Sequence, residues 1–345
     1  MARSARVHCG NGEETRIAVE RTISVAMCTF NGVRFLAEQL QSIVSQTRQP
    51  NEVVICDDAS ADGTPDLVEE WARTAPFPVQ LHVNPQRVGS TRNFEIAISK
   101  CSGSLIALSD QDDVWLKHKL AVAEDEFSRR PALGMWFTNA LVTDEELRVL
   151  DRDLWSSVRL STAARAKLDD AATAAQELMR RSYVTGATMV FDSRFVSLVL
   201  PLPVDLMYYL HDRWISTIIS AVAPIGCTTE PSMLYRQHLG QQIGARDARY
   251  GLVHNNCAVG ERRRQFYLDE LRAVRTIVER LRERHVAIHP RVAKSLLERI
   301  KILTMRSRLS QNRMYRLAPV ADALLRGLYG RHAEGFASAA KDLLV

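Results

Sequence analysis

The sequence predicts an α/β fold: a mainly parallel central sheet with helices on both faces, followed by a helical C-terminal region. Three observations carry this. Short apolar runs alternate with segments of helical period up to about residue 113. Polar clusters stand where the runs end, at Thr29–Gly32, Asp57–Gly63 and Asp110–Asp113. Residues 260–345 then show helical spacing with little strand character.

Taken in order, residues 1–20 are polar and read as a disordered tail. Ile23–Phe30 reads as a buried strand. Val33–Val44 reads as a helix, because Phe35, Leu36, Leu40 and Ile43 fall on one side. Glu52–Cys56 is a second strand, ending at Asp57-Asp58. Asp62-Gly63 opens a helix over Thr64–Arg73, and Val79–Val83 is a third strand. A helix over Arg92–Lys100 leads to a fourth strand, Leu105–Leu108, which ends at Ser109-Asp110-Gln111-Asp112-Asp113. Parallel sheets of this kind bind ligands outside the carboxyl ends of their strands, so the three polar clusters are expected to line one crevice. The second half is less regular. Tyr183–Phe191 reads as a strand after a turn, and Leu210–Val222 as a helix opening with His211-Asp212. The expected organisation is a tail (1–20), a domain (21–250) with halves at 21–115 and 116–250, and a basic helical region (251–345).

The chain has 345 residues, 46% hydrophobic and 25% charged, which is ample material for a core. Its formal charge of +5 is uneven, with arginines concentrated between Glu261 and Arg316. The densest cluster is Arg262, Arg263 and Arg264. Such a tail can meet a membrane surface, or can simply form solvated helix faces. The six cysteines are Cys9, Cys28, Cys56, Cys101, Cys227 and Cys257, and none forms a CxxC pair. Cys28 and Cys56 sit within apolar runs, where cysteine acts as a small hydrophobe. No disulfide framework or zinc site is expected. No apolar leader and no run of eighteen apolar residues is present, so the expectation is a cytoplasmic protein, peripheral at most to a membrane. No nucleic-acid partner is expected.

The acidic cluster Asp110-Gln111-Asp112-Asp113 is the first site candidate. Its carboxylates repel one another unless a cation sits among them, and hard oxygen ligands suit Mg²⁺ or Mn²⁺. An acidic turn capping the next helix is the plainer alternative. At Asp57–Thr64, Asp57 or Asp58 can accept hydrogen bonds from a base or a ribose, whereas Asp62 suits a capping role. Thr29 and Asn31, with Gly32, let a ligand approach the backbone closely. Arg87 and Arg92, around Gly89, can neutralise a diphosphate or remain solvated. Asp212 can serve as a general base or as an N-cap. His238 can touch phosphate or metal, or be a structural histidine.

Together these segments resemble the family 2 glycosyltransferases. Ser24–Gly32 resembles their opening strand, Asp57–Thr64 their DDxSxDGT segment, and Asn84–Gly89 with Arg92-Asn93 their NxxNxG…RN segment. Ser109–Trp115 matches the SDQDDxW form typical of a rhamnosyltransferase-like branch. Gly186-Ala187-Thr188, His211–Trp214 and Tyr235–His238 are placed as that branch places its GxTM, HDxW and YRQH segments.

The resemblance, which covers about residues 22–245, implies a GT-A fold and inverting transfer from a nucleotide-diphosphate sugar. It places the nucleotide sugar in 21–115 and the acceptor in 116–250. It implies donor contacts from Asp57 and Asp110, to which the reading of the neighbouring residues adds Thr29, Asn31, Asp58, Arg87, Arg92 and Gln111. It implies metal contacts from Asp112 and Asp113, with Mg²⁺ or Mn²⁺ as the cofactor, and the reading of His238 as a phosphate or metal contact adds that residue to them. It implies Asp212 as the base, with Gly186, His211 and Trp214 on the acceptor side. The expected donor is dTDP- or UDP-linked, with rhamnose or another deoxysugar favoured. The expected acceptor is a glycan or a lipid-linked glycan of cell-surface polysaccharide synthesis, met through membrane contact at 260–316. The family's commonest late motif is Glu-Asp, and His211 replaces that glutamate here. Arg87 stands where the family often has asparagine. The QxxRW motif of processive synthases is absent, which argues against a polymerising synthase. A nucleotidyltransferase and a non-catalytic sugar-nucleotide-binding protein remain as alternatives; the first usually carries a glycine-rich basic loop, which Thr29–Gly32 lacks.

Overall fold

The computed structural model describes residues 21–206, 209–241 and 261–344, without the side chains of 261 and 262. The tail 1–20 with Cys9, the segment holding Cys257, and the side chain of Arg262 lie outside the described residues.

Strand β1 (Ile23–Thr29) leads to helix α1 (Val33–Val44), β2 (Glu52–Asp57) to α2 (Thr64–Ala72), and β3 (Val79–Val83) to α3 (Ser90–Lys100). Strand β4 (Leu105–Ser109) closes this alternating half. There follow β5 (Val114–Trp115), α4 (Lys119–Arg129), β6 (Met135–Thr143), β7 (Val149–Asp153), α5 (Leu154–Ser157), α6 (Thr162–Ala166) and α7 (Ala171–Arg180). Then come β8 (Met189–Asp192), α8 (Val196–Val199), α9 (His211–Ser220) and β9 (Ile225–Arg236). The C-terminal region folds as α10 (Glu261–Glu283), α11 (Pro290–Ser307), α12 (Leu317–Leu325), α13 (Leu328–His332) and α14 (Phe336–Leu344).

One sheet joins the nine strands, in the order β3-β2-β1-β4-β8-β6-β9-β5, with β7 paired to β6. Strands β3, β2, β1 and β4 are parallel, in register at Val25 with Val53 and Val25 with Ala107. Strand β8 enters antiparallel beside β4, and β6 turns back antiparallel to β8 with β9 parallel to it. Strands β1, β2, β3, β4, β6 and β9 therefore point one way, and β5, β7 and β8 the other. The carboxyl ends of β1, β2, β4 and β9 consequently fall at one edge.

Both faces of the sheet are covered, which explains why β1 and β2 read as nearly continuous apolar runs. Val25, Met27, Val53 and Ile55 face α1, packing on Leu36, Leu40 and Ile43. Their alternates Ala26, Val54 and Cys56 face α3, packing with Phe94, Ala97 and Ile98. That second core continues through α7 and α9 into the C-terminal helices, where it includes Leu271, Val274, Ile277, Leu296 and Ile302. Burying side chains of this size contributes about 1.5–3 kcal/mol each. The four described cysteines are free. Burial raises the thiols of Cys56 and Cys101 to about 12, so they behave as apolar residues.

Three local expectations change. The strand expected over Tyr183–Phe191 begins only at Met189, because a 3-10 turn occupies Gly186–Thr188, closed by Thr188 N donating to Thr185 O at 3.0 Å. Helix α3 starts at Ser90 rather than Arg92, since Gly89 (φ 85°, ψ 157°) takes a conformation that a side chain disfavours and turns the chain into the helix. The arginines of the C-terminal region are also less free than their density suggests. Arg263 and Arg306 bond the buried Asp342, Arg264 donates to Ser307 O, Arg299 pairs with Glu270, and Arg316 donates to Ser310 O and Asp342 O.

Candidate active site

The loops after β1 and β2 are laced together. Thr29 Oγ1 donates to Asp57 Oδ2 at 2.7 Å, and Asn31 N donates to Ser60 Oγ at 2.8 Å. Ala61 N returns a bond to Asn31 Oδ1 at 2.9 Å. Asn31 and Ala59 take positive φ values of 46° and 60°, a conformation that costs energy and that these cross-links hold in place. Asp57 is wholly buried and also accepts from Ser60 N and Ser60 Oγ at 2.7 and 2.6 Å. Asp62 accepts from Val33 N at 3.1 Å and from Thr64 N and Oγ1, which is a structural role.

Asp58 ties in the third loop. Its oxygens accept from Val88 N at 2.6 Å, Gly89 N at 2.9 Å and Asn84 Nδ2 at 3.2 Å. Asn84 also donates to Asn93 Oδ1, and Asn93 to Cys56 O, so a buried network spans β2, α3 and the intervening loop. This presents Arg87 with its guanidinium 4.0 Å over the ring of Phe30, close to the end of β1. Arg92 instead pairs with Glu95 on the surface of α3.

The acidic loop after β4 is stapled to β1. Gln111 Oε1 accepts from Phe30 N at 2.8 Å, and its Nε2 donates to Phe30 O at 3.0 Å. Gln111 packs so closely on Gly32 that a Cβ there would lie 2.1 Å from Oε1, which is why glycine stands at that position. Asp112 Oδ2 lies 2.7 Å from His238 Nε2, which arrives from beyond β9. Asp113 is wholly buried; Oδ1 accepts from Arg236 N at 3.1 Å, and Oδ2 has no partner. Asp110 is pushed up to about 7, chiefly by burial and then by the charges of Asp112 and Asp212, against the opposing pull of Lys119. The carboxylate at the start of α9 thus bears on the acidic loop.

At that start, Asp212 Oδ1 accepts from Arg213 N at 2.7 Å. His211 is buried, stacked on Phe94 with ring centroids 4.1 Å apart, and burial lowers its pKa. Gly186 makes room for it, since a Cβ there would lie 2.7 Å from His211 Nε2. Trp214, expected on the acceptor side, is wholly buried, with Nε1 donating to Val199 O at 2.9 Å; one helical turn beyond His211, it shares the buried face of α9 with that histidine.

Two residues outside the sequence-based set support the site. Arg236 is 2% exposed; it donates from Nε to Asp112 O at 2.7 Å, bonds Glu145 O and Glu38, and lies 4.7 Å over Phe35. Lys119 is buried below the loop, donating to Ala187 O and lying 4.0 Å over the ring of Trp115. Burial lowers Lys119 to about 7, opposed by Asp113 and Asp110. Arg236 was visible only as a neighbour of His238 in its polar run. Lys119 carries no sequence signal, since a lone lysine at a helix start reads as solvated.

Among the described residues, no group of three or more His, Cys, Asp or Glu side chains is arranged to hold a metal ion by itself. The donors that fit one are the carboxylates of Asp112 and Asp113, the latter with an unpartnered Oδ2, which is the one or two carboxylates Mg²⁺ takes when substrate phosphates complete its shell, with His238 Nε2 beside Asp112. Burial and the neighbouring charge of Asp112 both disfavour the ionised Asp110, and a cation at this loop would offset them.

Residues 24–179 match the family described as Glycosyl transferase family 2. The dTDP-rhamnosyl transferase RfbG of Shigella flexneri is 33% identical over 103 residues, 29% of this chain and 36% of that protein. Among solved structures, S. aureus TarS 1-349 in complex with UDP-GlcNAc superposes with a TM-score of 0.54 at 13% identity, covering 93% of this chain and 90% of that one. The mannosyltransferase PcManGT from Pyrobaculum calidifontis, in complex with GDP-Man and Mn²⁺, gives 0.51 at 18%, covering 93% and 79%. At such identities these two speak for the fold alone. The chain spans about a third of the length of the curated relatives it matches. The sheet carries the GT-A architecture, and residues 24–179, which run from β1 through the acidic loop to α7, are similar to the family 2 glycosyl transferases.

Proposed function

We propose that this chain is an inverting, metal-dependent glycosyltransferase. It moves a sugar from a nucleotide-diphosphate donor to a hydroxyl of a glycan or lipid-linked acceptor in cell-surface polysaccharide synthesis. The observation that carries this reading is the acidic loop Asp110–Asp113 at the carboxyl end of β4, stapled to the end of β1 through Gln111 and met by His238 from beyond β9.

In this reading the laced loops at Thr29, Asn31, Asp57 and Asp58 shape the nucleotide pocket, with Arg87 over Phe30 at its edge. Asp112, Asp113 and His238 would hold Mg²⁺ or Mn²⁺, which when bound offsets the charge gathering on the diphosphate. Asp212 takes the proton of the acceptor hydroxyl. The acceptor oxygen bonds the anomeric carbon from the face opposite the nucleotide, while the carbon–oxygen bond to the diphosphate breaks and its electron pair leaves with the phosphate. Gly186 and buried His211 shape the acceptor side.

A dTDP-linked rhamnose or other deoxysugar is the favoured donor, supported by the SDQDDxW loop and by the name of the Shigella relative. A UDP-linked donor is the second candidate. The test is Asp212→Asn. Turnover should fall roughly 10²–10⁴-fold with nucleotide affinity unchanged. Wild-type turnover in that variant rejects the base assignment, and pyrophosphate release from a nucleoside triphosphate rejects sugar transfer. Binding without turnover in the wild type favours a non-catalytic role.

Contact with an anionic membrane surface is the second part of the proposal. No helix among the described residues is long and apolar enough to cross a membrane. With Arg263 and Arg306 tied to the buried Asp342, the surface for such contact is the exposed row Arg291, Lys294, Lys301 and Arg308, spaced by three and seven residues on one face of α11 and its cap. Flotation with anionic vesicles, lost when these four become glutamate, is the expected result. Flotation unchanged by those substitutions rejects this surface.

A further inference from the structure

Helix α9 is held by charges buried beneath it. Arg213, next to Asp212, donates from both terminal nitrogens to Glu270 of α10, with Nη2 to Oε2 at 3.0 Å, and Nη2 also donates to Met179 O at 3.2 Å. Glu270 receives a second guanidinium, from Arg299 of α11, at 2.7 Å. Arg299 donates onward to His332 O of α13. The three side chains are 8%, 0% and 5% exposed. A second contact lies ten residues along α10, about 15 Å at helical rise. There Arg280 donates to Leu198 O at 3.0 Å and Pro201 O at 3.1 Å, and lies 5.5 Å over Trp214.

Burying three charges is a costly way to join helices, since apolar residues of similar volume do it as well or better. What an ion triad adds is a fixed direction. The fork of Arg213 donates to both oxygens of the Glu270 carboxylate, and the Arg213 amide is the donor to Asp212 Oδ1. The backbone that carries the carboxylate is thereby clamped on the side opposite the crevice.

We infer that Glu270 is a positioning residue for Asp212: through Arg213 and Arg299, the C-terminal helices set the first turn of α9 and complete the transfer site. The inference rests on Asp212 being the base. It makes α10 and α11 part of the transferase unit, through a salt-bridge network no motif in the sequence marks.

The experiment uses the full chain. Glu270→Gln leaves two buried cations without their anion and can unfold the protein, so the deciding variant is Arg213→Met/Glu270→Met/Arg299→Met, which removes the charges and keeps the volume. Three quantities are measured: Tm, hydrogen exchange of segments 209–216 and 52–57, and kcat and KM for release of nucleoside diphosphate. The donor is whichever UDP-, GDP- or dTDP-sugar the wild type turns over, and Asp212→Asn is run in parallel. The expected result is a Tm at or above wild type, exchange at 209–216 faster by about ten-fold with 52–57 unchanged, and kcat lower by about 100-fold with KM within about two-fold. Wild-type exchange at 209–216, or wild-type kcat, overturns the inference. So does exchange that rises equally in both segments, because the triad would then merely hold the fold. Full turnover in Asp212→Asn removes the base assignment instead, and the exchange arm, which needs no substrate, still decides whether the triad clamps α9.

Discussion

His238 Nε2 lies 2.7 Å from Asp112 Oδ2, so the end of the last strand returns a histidine to the acidic loop that closes the fourth. Because β9 runs in the same direction as β4, both residues leave the sheet at one edge, and Arg236, bonded to Asp112 O, fixes the distance between them. Asp112→Ala and His238→Ala should each weaken Mn²⁺-dependent binding of UDP or dTDP by at least about ten-fold, with little effect on binding without metal. Calorimetric titration with and without Mn²⁺ measures this. Equal loss in both conditions would mean that the pair only shapes the loop.

The contact between Gly32 and Gln111 makes a stability prediction. Gly32→Ala places a methyl 2.1 Å from Gln111 Oε1 and must break the paired bonds to Phe30. A loss of about 1–3 kcal/mol is expected, read from urea unfolding. Gln111→Ala in the same chain should recover part of it, so the two substitutions are non-additive. Additive losses would show that the clash is absorbed elsewhere.

Gly186 and His211 pose the same question on the acceptor side. Gly186→Ala brings a methyl 2.7 Å from His211 Nε2 and 3.5 Å from the position of Asp212 Cβ. The imidazole is stacked on Phe94 and has little room to retreat. Turnover should fall by about ten-fold or more, with donor KM nearly unchanged, in steady-state kinetics. An unaltered kcat would separate this corner from the chemistry.

A pH prediction concerns the C-terminal helices. His332 is wholly buried, and burial lowers its pKa to about 4, with Glu298 at 3.1 Å drawing it the other way. The unfolded chain then binds a proton that the folded one refuses between about pH 6.5 and 4. Stability from this group is complete above pH 6.5 and declines as pH falls through that window, by on the order of 1–3 kcal/mol. His332→Gln should flatten this part of the curve in thermal unfolding followed against pH. An unchanged slope assigns it to other groups.

How much could be read in advance depended on range. Helix α1 and strand β3 have the bounds their apolar spacing predicts, because α1 buries one face, and β3 half-buries Val79 and Leu81, against neighbours made within the same alternating half. The antiparallel half was opaque. Strand β9 carries the exposed and intermediate stretch Cys227–Pro231 and no steady alternation, and its pairing with β6 shifts register there. Burial along His211–Trp214 was equally hidden in the sequence: the helix buries His211 and Trp214 and leaves Asp212 half-buried between them, a difference that adjacency in a motif does not express.

The sequence by itself determined the parallel half of the fold, the family-like motifs and the loops that gather at one sheet edge, since strand ends and turn chemistry are local properties. Tertiary structure alone decided which charges are exposed. Arg263, Arg299 and Arg306 look like a basic surface in the sequence and are internal ties in the fold, as are Lys119 and Arg236 beneath the acidic loop. The physical reason is that a guanidinium or ammonium leaves water only when its counter-charge arrives from elsewhere in the chain. Glu270, Asp342 and Asp113 lie 29, 36 and 6 residues from Arg299, Arg306 and Lys119, and only folding brings each to its partner.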